Sequence, residues 1–122
     1  MKMYQILLID GNKKIQNMIF SLFSTNFSNY KVEIATDGEI GLEILKSETF
    51  NLVICEIYLN KKSGFDILRF IQEKSIQSKI IALTSATISK NLLIEKGFSF
   101  VIKKSHKFLD ELNNYISDEW NT

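Results

Sequence analysis

The 122-residue chain lacks proline, has one cysteine and five glycines, and carries almost no net charge. Without proline, no residue favours a cis peptide bond. A protein that binds nucleic acid through phosphates carries a basic excess, whereas this chain has 15 basic and 14 acidic side chains. The single thiol, Cys55, cannot form an internal disulfide, which fits a reducing compartment. No apolar run approaches the roughly 18 residues that span a bilayer, and no signal-peptide pattern is present. The sequence therefore predicts a cytoplasmic protein without direct nucleic-acid or membrane contacts.

Length and composition predict one globular domain over residues 1–122. The chain is too short for two ordinary domains. Its 45% hydrophobic and 24% charged residues are close to the average of soluble proteins. A chain of this size buries about two-thirds of its unfolded surface, so one core with Cys55 in it is expected.

Short apolar runs alternate five times with segments of helical period. The predicted strands are residues 4–9, 30–35, 52–55, 79–84 and 98–102. Val32 and Ile34 alternate with charged residues, which is typical of an edge strand, whereas the wholly apolar run 52–55 should be central. Five strand–helix units with short connections predict a parallel sheet with helices on both faces. Its strand order should be dinucleotide-type or flavodoxin-like.

The helices are marked by apolar residues three and four positions apart. Thr36 is placed to cap the second helix, and the fourth helix carries Ile88 and Leu92. Gly97 can adopt the left-handed conformation that ends this fourth helix. The apolar residues of the first and last helices are Ile15, Met18, Ile19, Leu22 and Phe23, and Phe108, Leu112, Tyr115 and Ile116.

Reactive side chains follow four of the predicted strands. They are Asp10, Glu56, Thr84, and either Lys103 or Lys104. The carboxyl ends of parallel strands meet at one edge of the sheet, where such folds place their sites. Carboxylates can hold Mg²⁺, and an amine with a hydroxyl can stabilise the oxygens of a phosphoryl group.

These segments resemble the receiver domain of response regulators over essentially the whole chain. The similar segments are Ile6-Leu7-Leu8-Ile9-Asp10, Val53-Ile54-Cys55-Glu56 through Ser63-Gly64, Ile80-Ile81-Ala82-Leu83-Thr84-Ser85-Ala86, and Gly97 through Lys104. The resemblance implies a three-layer, doubly wound (βα)5 fold with a flavodoxin-like parallel sheet of order 2-1-3-4-5. It also implies that position 56 corresponds to the phosphoacceptor.

The acidic pocket departs from the family pattern. Receivers usually have two adjacent acids after the first strand, but Gly11 and then Asn12 follow Asp10. Since the missing acid is the family's direct metal ligand, we expect Mg²⁺ binding to be weak or absent and predict no cofactor. The weak remaining metal candidates are Asp10, Glu56 and the backbone of Tyr58.

Two loops also depart from the pattern, because Asn60 and Ser105 stand where receivers usually have proline. The family proline after the last strand commonly follows a cis bond. A non-proline cis bond costs about 2.5–4 kcal/mol, so we predict a trans, rearranged loop there.

Glu56, in place of the phosphoacceptor aspartate, leaves three interpretations open. Its carboxylate lies one methylene farther from the backbone, which moves it toward the place of the phosphoryl oxygens. An ion pair with Lys104 could then imitate the phosphorylated state. Alternatively, Glu56 is a tolerated acid in a dead site, or the domain is still phosphorylated.

The resemblance also locates the output switch. Thr84 and Ser85 occupy the hydroxyl-bearing positions after the fourth strand, and receivers couple this hydroxyl to an aromatic residue three positions before the lysine. Counting from Lys104 gives Val101, whereas counting from Lys103 gives Phe100. We prefer Lys104, which preserves the spacing from Gly97 and leaves no aromatic switch.

The sequence thus predicts an atypical receiver that is not an enzyme and acts through protein contacts independently of phosphorylation. The partner could be a histidine kinase, a downstream effector or a second copy bound at the face of helix four, strand five and helix five. Candidates on that face are Phe98, Phe100, Lys103 and Trp120, and Trp120 is expected to have little core to join.

Two alternatives are a functional phosphoreceiver and a haloacid-dehalogenase-like phosphatase. The first needs a second acid beside Asp10, where Gly11 stands. The second also begins with an aspartate after strand one, but it needs an acid at position 12 and an acidic pair after a later strand. This chain has Asn12 and, after strand five, Lys103 and Lys104.

Overall fold

A computed structural model describes residues 2–120, which form five strands that alternate with five helices. The elements in chain order are β1 (Tyr4–Ile9), α1 (Lys13–Asn26), β2 (Tyr30–Ala35), α2 (Gly38–Ser47), β3 (Leu52–Cys55), α3 (Gly64–Glu73), β4 (Lys79–Thr84), α4 (Lys90–Lys96), β5 (Phe100–Lys103) and α5 (Phe108–Trp120).

The strands form one parallel sheet in the order β2-β1-β3-β4-β5, which confirms the predicted fold. All four residues of β3 are buried because this strand is central, as predicted. In contrast, β2 is an edge strand with half-buried and exposed positions. The order reverses beside β1, so the carboxyl ends of β1 and β3 flank a crevice.

Each face of the sheet buries a separate core layer. Leu7 and Ile9 of β1 point into the layer covered by α2, α3 and α4, and Cys55 lies in the same layer as predicted. Ile6 and Leu8 point into the layer covered by α1 and α5. The alternation follows from the two-residue period of a strand. Because helices cover both faces, β1 needs apolar residues at nearly every position.

Three helix and strand boundaries differ from the prediction. Asp37, not Thr36, caps α2, and its Oδ1 accepts a hydrogen bond from the Ile40 amide at 2.9 Å. Ile88 precedes α4, which begins at Lys90 after the Ser89 cap. Gly97 does end this helix with a φ of 124°, a conformation that favours glycine.

The fifth strand occupies Phe100–Lys103 rather than 98–102. Phe98 instead packs in the core, where its ring meets that of Phe65 edge-on with centroids 6.2 Å apart.

The prediction for Trp120 was wrong. Its ring packs against the ring of the buried Tyr4, with the two centroids 4.5 Å apart. The end of α5 therefore joins the core layer beside β1.

Candidate functional site

A pocket of about 310 Å³ lies at the carboxyl edge of the sheet. Asp10 enters it from the end of β1, Glu56 from the end of β3 and Lys104 from the end of β5. Its wall includes the backbone turn after β1 and the loop after β3. The structure thus brings together both predicted acids and one of the two candidate lysines.

Lys104 bridges the two acids. Its Nζ lies 2.8 Å from Asp10 Oδ2 and 2.8 Å from Glu56 Oε1. Only 13% of the Lys104 side chain is exposed, and the two carboxylates are more deeply buried. Burial lowers the pKa of Lys104, but the contacts with Asp10 and Glu56 outweigh it and raise the pKa above its ordinary value. The ammonium is therefore held in its charged form by the pair of acids.

Asp10 is fixed by three different contacts. Its Oδ1 accepts the Asn12 amide at 2.9 Å, and its carbonyl accepts Gln16 Nε2 at 2.6 Å. Its buried Oδ2 accepts no directed hydrogen bond from residues 2–120, so the charge of Lys104 compensates this oxygen. Gln16 was not among the site residues predicted from the sequence, although it is the polar residue beside Ile15 on the buried face of α1.

Glu56 uses both of its carboxylate oxygens within the protein. Oε1 faces Lys104, while Oε2 turns back and accepts a hydrogen bond from the Ile57 amide at 2.6 Å. The same cluster affects the neighbouring thiol, because burial and then the charges of Glu56 and Asp10 raise the pKa of Cys55. Cys55 is therefore a protonated core residue.

The position of the missing acid is closed by the backbone. A Cβ atom on Gly11 would lie 2.9 Å from the carbonyl oxygen of Thr36, closer than such contacts allow. Asn12 does not replace the acid, because its Oδ1 caps α1 by accepting the Ile15 amide at 3.1 Å. Neither position 11 nor position 12 therefore supplies the pocket with a second acid.

This donor set does not suit Mg²⁺, which prefers six oxygen ligands. Within residues 2–120 no three His, Cys, Asp or Glu side chains cluster in a way that could hold a metal. Both pocket carboxylates face an ammonium group instead. Tyr58 lines the same pocket, and its backbone carbonyl would add only one neutral oxygen.

Thr84 and Lys103 both bind the loop between β4 and α4. The buried Thr84 Oγ1 accepts the Ala86 amide at 3.0 Å. Lys103 Nζ donates to the Ala86 carbonyl at 2.7 Å and also to the Ile88 carbonyl. Ser85 is exposed. The sequence offered Lys103 as an alternative pocket lysine and as a partner-face candidate, whereas in the structure it lies on the opposite side of the strand from Lys104.

The loop after β3 packs on the start of α2. The carbonyl of Asn60, at the position of the family proline, accepts the amides of Gly38 and Lys62 at 3.2 and 2.9 Å. No peptide bond within residues 2–120 is cis, so the bond before Ser105 is trans as predicted.

The model of the response regulator receiver domain family matches residues 6–116. The chain belongs to this family. None of the helices described in residues 2–120 has the length and apolar character needed to cross a membrane.

Similar receivers occur in longer regulators. DltR of Streptococcus agalactiae, a transcriptional regulatory protein, is 32% identical over 81 residues, which are 66% of this chain and 35% of DltR. CiaR of Streptococcus pneumoniae is 31% identical over 98 residues, covering 80% of this chain and 41% of CiaR. The chain therefore spans less than half of each of these relatives.

Solved structures agree on the fold. The response regulator TrrA from Thermotoga maritima, in complex with Mg²⁺–BeF, superposes with a TM-score of 0.82 at 27% identity, covering 95% of this chain and 98% of TrrA. A CheY-like receiver from Methanospirillum hungatei gives 0.84 at 23% identity, covering 97% and 94%.

Since Lys104 is the pocket lysine, the residue three positions earlier is Val101, which is buried in the core. Phe100, the alternative, is half-buried and stacks on Tyr115 with ring centroids 4.9 Å apart. The position three residues before the pocket lysine therefore carries a small aliphatic side chain.

Proposed function

We propose that this receiver works without phosphorylation and transmits signals in the cytoplasm through contacts with other proteins. The observation that carries the proposal is the position of Lys104 Nζ, 2.8 Å from both Asp10 and Glu56. The ammonium group compensates the negative charge of the two acids, as a metal ion bound between them would otherwise do.

The charge of the pocket supports this proposal. Asp10 and Glu56 carry two negative charges, and Lys104 reduces the net charge to −1. A usual receiver, with three acids and one lysine, has a net charge of −2 before the cation binds. Fewer oxygen ligands and less negative charge both weaken Mg²⁺ binding, on which phosphoryl transfer to receivers depends.

The contacts of Glu56 bear on whether it imitates a phosphorylated residue. Its pairing with Lys104 is the contact that such a mimic requires. However, the Thr84 hydroxyl bonds to the Ala86 amide in its own loop, and Val101 cannot act as an aromatic switch. These contacts favour a site fixed in one arrangement over a phosphoryl mimic.

The face of α4, β5 and α5 is the proposed partner surface. Leu92 and Ile94 of α4 are 44% and 46% exposed, which is high for aliphatic side chains on a seven-residue helix. The candidates named from the sequence contribute less, because Phe98 is buried, Lys103 is bound to carbonyls and Trp120 packs on the core. The partner would be a histidine kinase or a downstream effector.

A titration with Mg²⁺, with and without beryllofluoride, tests the proposal through amide chemical shifts. We expect changes no larger than those caused by an equal ionic strength of NaCl. A receiver with both acids and the phosphoacceptor aspartate serves as the positive control. Saturable shifts of Glu56, Thr84 and Lys104 would contradict the proposal.

Two substitutions distinguish the fixed site from the mimic. Glu56→Gln removes the charge but keeps the side-chain length, and Lys104→Ala removes the bridging ammonium. Among variants that circular dichroism shows to be folded, a mimic predicts that both lose partner binding, whereas a dead site predicts binding unchanged from the wild type. Leu92→Ser, outside the pocket, is the control expected to weaken partner binding in either case.

The alternatives have less support. If Asp10 were the phosphoacceptor, the incoming phosphoryl group would compete with Lys104 for the Asp10 carboxylate. The pocket would also lack the second acid, because Gly11 stands at that position. The phosphatase alternative is not favoured, because the chain belongs to the receiver family and Lys103 and Lys104 stand where that mechanism needs acids.

A further inference from the structure

Strand β2 has an unpaired outer edge. It lies at one end of the sheet, and no other strand of residues 2–120 lies beyond it. On its inner side, the amide of Tyr4 donates to the Asn29 carbonyl at 2.8 Å and the amide of Asp10 donates to the Ala35 carbonyl at 3.1 Å. The polar groups of the odd-numbered residues therefore face β1. Because the backbone direction alternates along a strand, the N–H and C=O groups of Tyr30, Val32 and Ile34 point outward.

The side chains of this edge carry a self-complementary charge pattern. Lys31 is exposed and Glu33 is half-buried on the same face of the sheet, two residues apart. Burial, and then the contact with Glu48, raise the pKa of Glu33, so this carboxylate lies beside a second acid. Lysine on an edge strand normally discourages pairing with another strand. In this strand, an antiparallel second copy would place a glutamate opposite each lysine.

We propose that two copies of the chain associate through β2, as antiparallel strands centred on Val32. In this register Val32 faces Val32, Tyr30 faces Ile34, and Lys31 faces Glu33 of the other copy. The three outward residues of each copy then exchange all of their backbone hydrogen bonds. The Lys31–Glu33 pairs fall on positions without hydrogen bonds, where opposed side chains lie closest.

The neighbouring registers are excluded by charge. Backbone hydrogen bonds form only where outward residues of one copy face outward residues of the other. If at least two of the three outward residues are to pair, the register can be centred only at position 31, 32 or 33. A centre at position 31 opposes the two copies of Lys31, and a centre at 33 opposes the two copies of Glu33. Both destabilise the pair, whereas the centre at Val32 opposes only unlike charges.

The apolar contacts of this register agree with the exposure of the strand. Ile34 is 36% exposed, and pairing would place it beside the half-buried Tyr30 of the second copy. Aromatic and β-branched cross-strand pairs are favourable. The other sheet edge, β5, offers no equivalent, because Phe100–Lys103 contains a lysine and no acid.

Charge-swap variants test the register by analytical ultracentrifugation over a wide range of protein concentrations. Wild type should show a concentration-dependent monomer–dimer equilibrium. Lys31→Glu and Glu33→Lys should each weaken dimerisation by about tenfold or more, because each places like charges opposite one another. An equimolar mixture of these variants should form heterodimers, and the doubly swapped chain should dimerise like the wild type.

Circular dichroism and Trp120 fluorescence verify that each variant is folded. Leu92→Ser, on the α4 face, is the matched control and should dimerise like the wild type. A wild type that stays monomeric at millimolar concentration overturns the proposal, as does a doubly swapped chain no better than the single variants. Dimers lost in Leu92→Ser but kept in both charge variants would also overturn it, since they would use the α4 face. None of these outcomes depends on whether the pocket accepts a phosphoryl group.

Discussion

Replacement of Lys104 by methionine should strongly destabilise the protein. Methionine keeps an apolar stem of similar length but removes the ammonium that lies 2.8 Å from Asp10 and Glu56. The variant would leave two nearly buried carboxylates facing each other without a cation. The cost arises from these remaining charges, and only secondarily from the lost side-chain packing.

The geometry sets the size of the effect. At an effective dielectric constant of about 20, unit charges 2.8 Å apart attract each other by about 6 kcal/mol. Most of this attraction is offset in the wild type by desolvation of the three charged groups. Removal of one partner exposes that desolvation cost, and such changes typically destabilise by about 3–5 kcal/mol. We therefore expect Lys104→Met to lower the free energy of unfolding by about this amount at pH 7.

Urea unfolding monitored by fluorescence measures this change, because Trp120 is the only tryptophan and packs on Tyr4. The double variant Lys104→Met/Glu56→Gln should recover part of the loss, since one of the two unpaired charges is removed. A loss below about 0.5 kcal/mol for the single variant, as at ordinary surface sites, would refute the reasoning. Additive effects in the double variant would equally refute it, because residues in contact should couple.

Three further predictions concern other parts of the chain. Lys103→Met removes charged hydrogen bonds from loop 85–89, so hydrogen exchange of these amides should accelerate by about tenfold or more, and unchanged rates would contradict the assigned contacts. Gly11→Ala should lower the free energy of unfolding by about 1–3 kcal/mol, since its Cβ would press on the Thr36 carbonyl, and a more stable variant in urea unfolding would contradict this. Burial raises the pKa of Tyr4 in the folded protein. Above about pH 10 its hydroxyl therefore ionises in the unfolded chain but not in the folded one, and the free energy of unfolding falls as pH rises. In urea unfolding series at alkaline pH, Tyr4→Phe should reduce that decline by about 1.4 kcal/mol per pH unit, and an unchanged slope would argue against its buried hydroxyl as the cause.

The fold was predictable because its determinants are local. Alternation of apolar runs with helical periods fixes the element order, and the wholly apolar run of β3 fixes its central place. The pocket residues Asp10 and Glu56 were predictable for the same reason, since each directly follows a strand. Spacing from Gly97 also favoured Lys104 over Lys103, and the ion pairs of Lys104 agree with that count.

The contacts that depend on loop paths were not predictable. Whether Thr36 or Asp37 caps α2 depends on where the backbone leaves the extended conformation, and both residue types are good caps. The packing of Trp120 on Tyr4 joins the two ends of the described chain, which no short-range pattern reports. The closure of position 11 likewise depends on a carbonyl 25 residues away, at Thr36.

The two adjacent lysines at the end of β5 contact different parts of the molecule. Successive side chains on an extended backbone point in opposite directions, so Lys104 reaches the acids while Lys103 reaches the β4–α4 loop. One short segment thus contacts both the pocket and the β4–α4 loop. An aspartate at position 56 would still lack the second acid, because a side chain at position 11 would press on the Thr36 carbonyl. We therefore expect that Glu56→Asp alone does not restore phosphoryl chemistry, because Gly11 still supplies no acid beside Asp10.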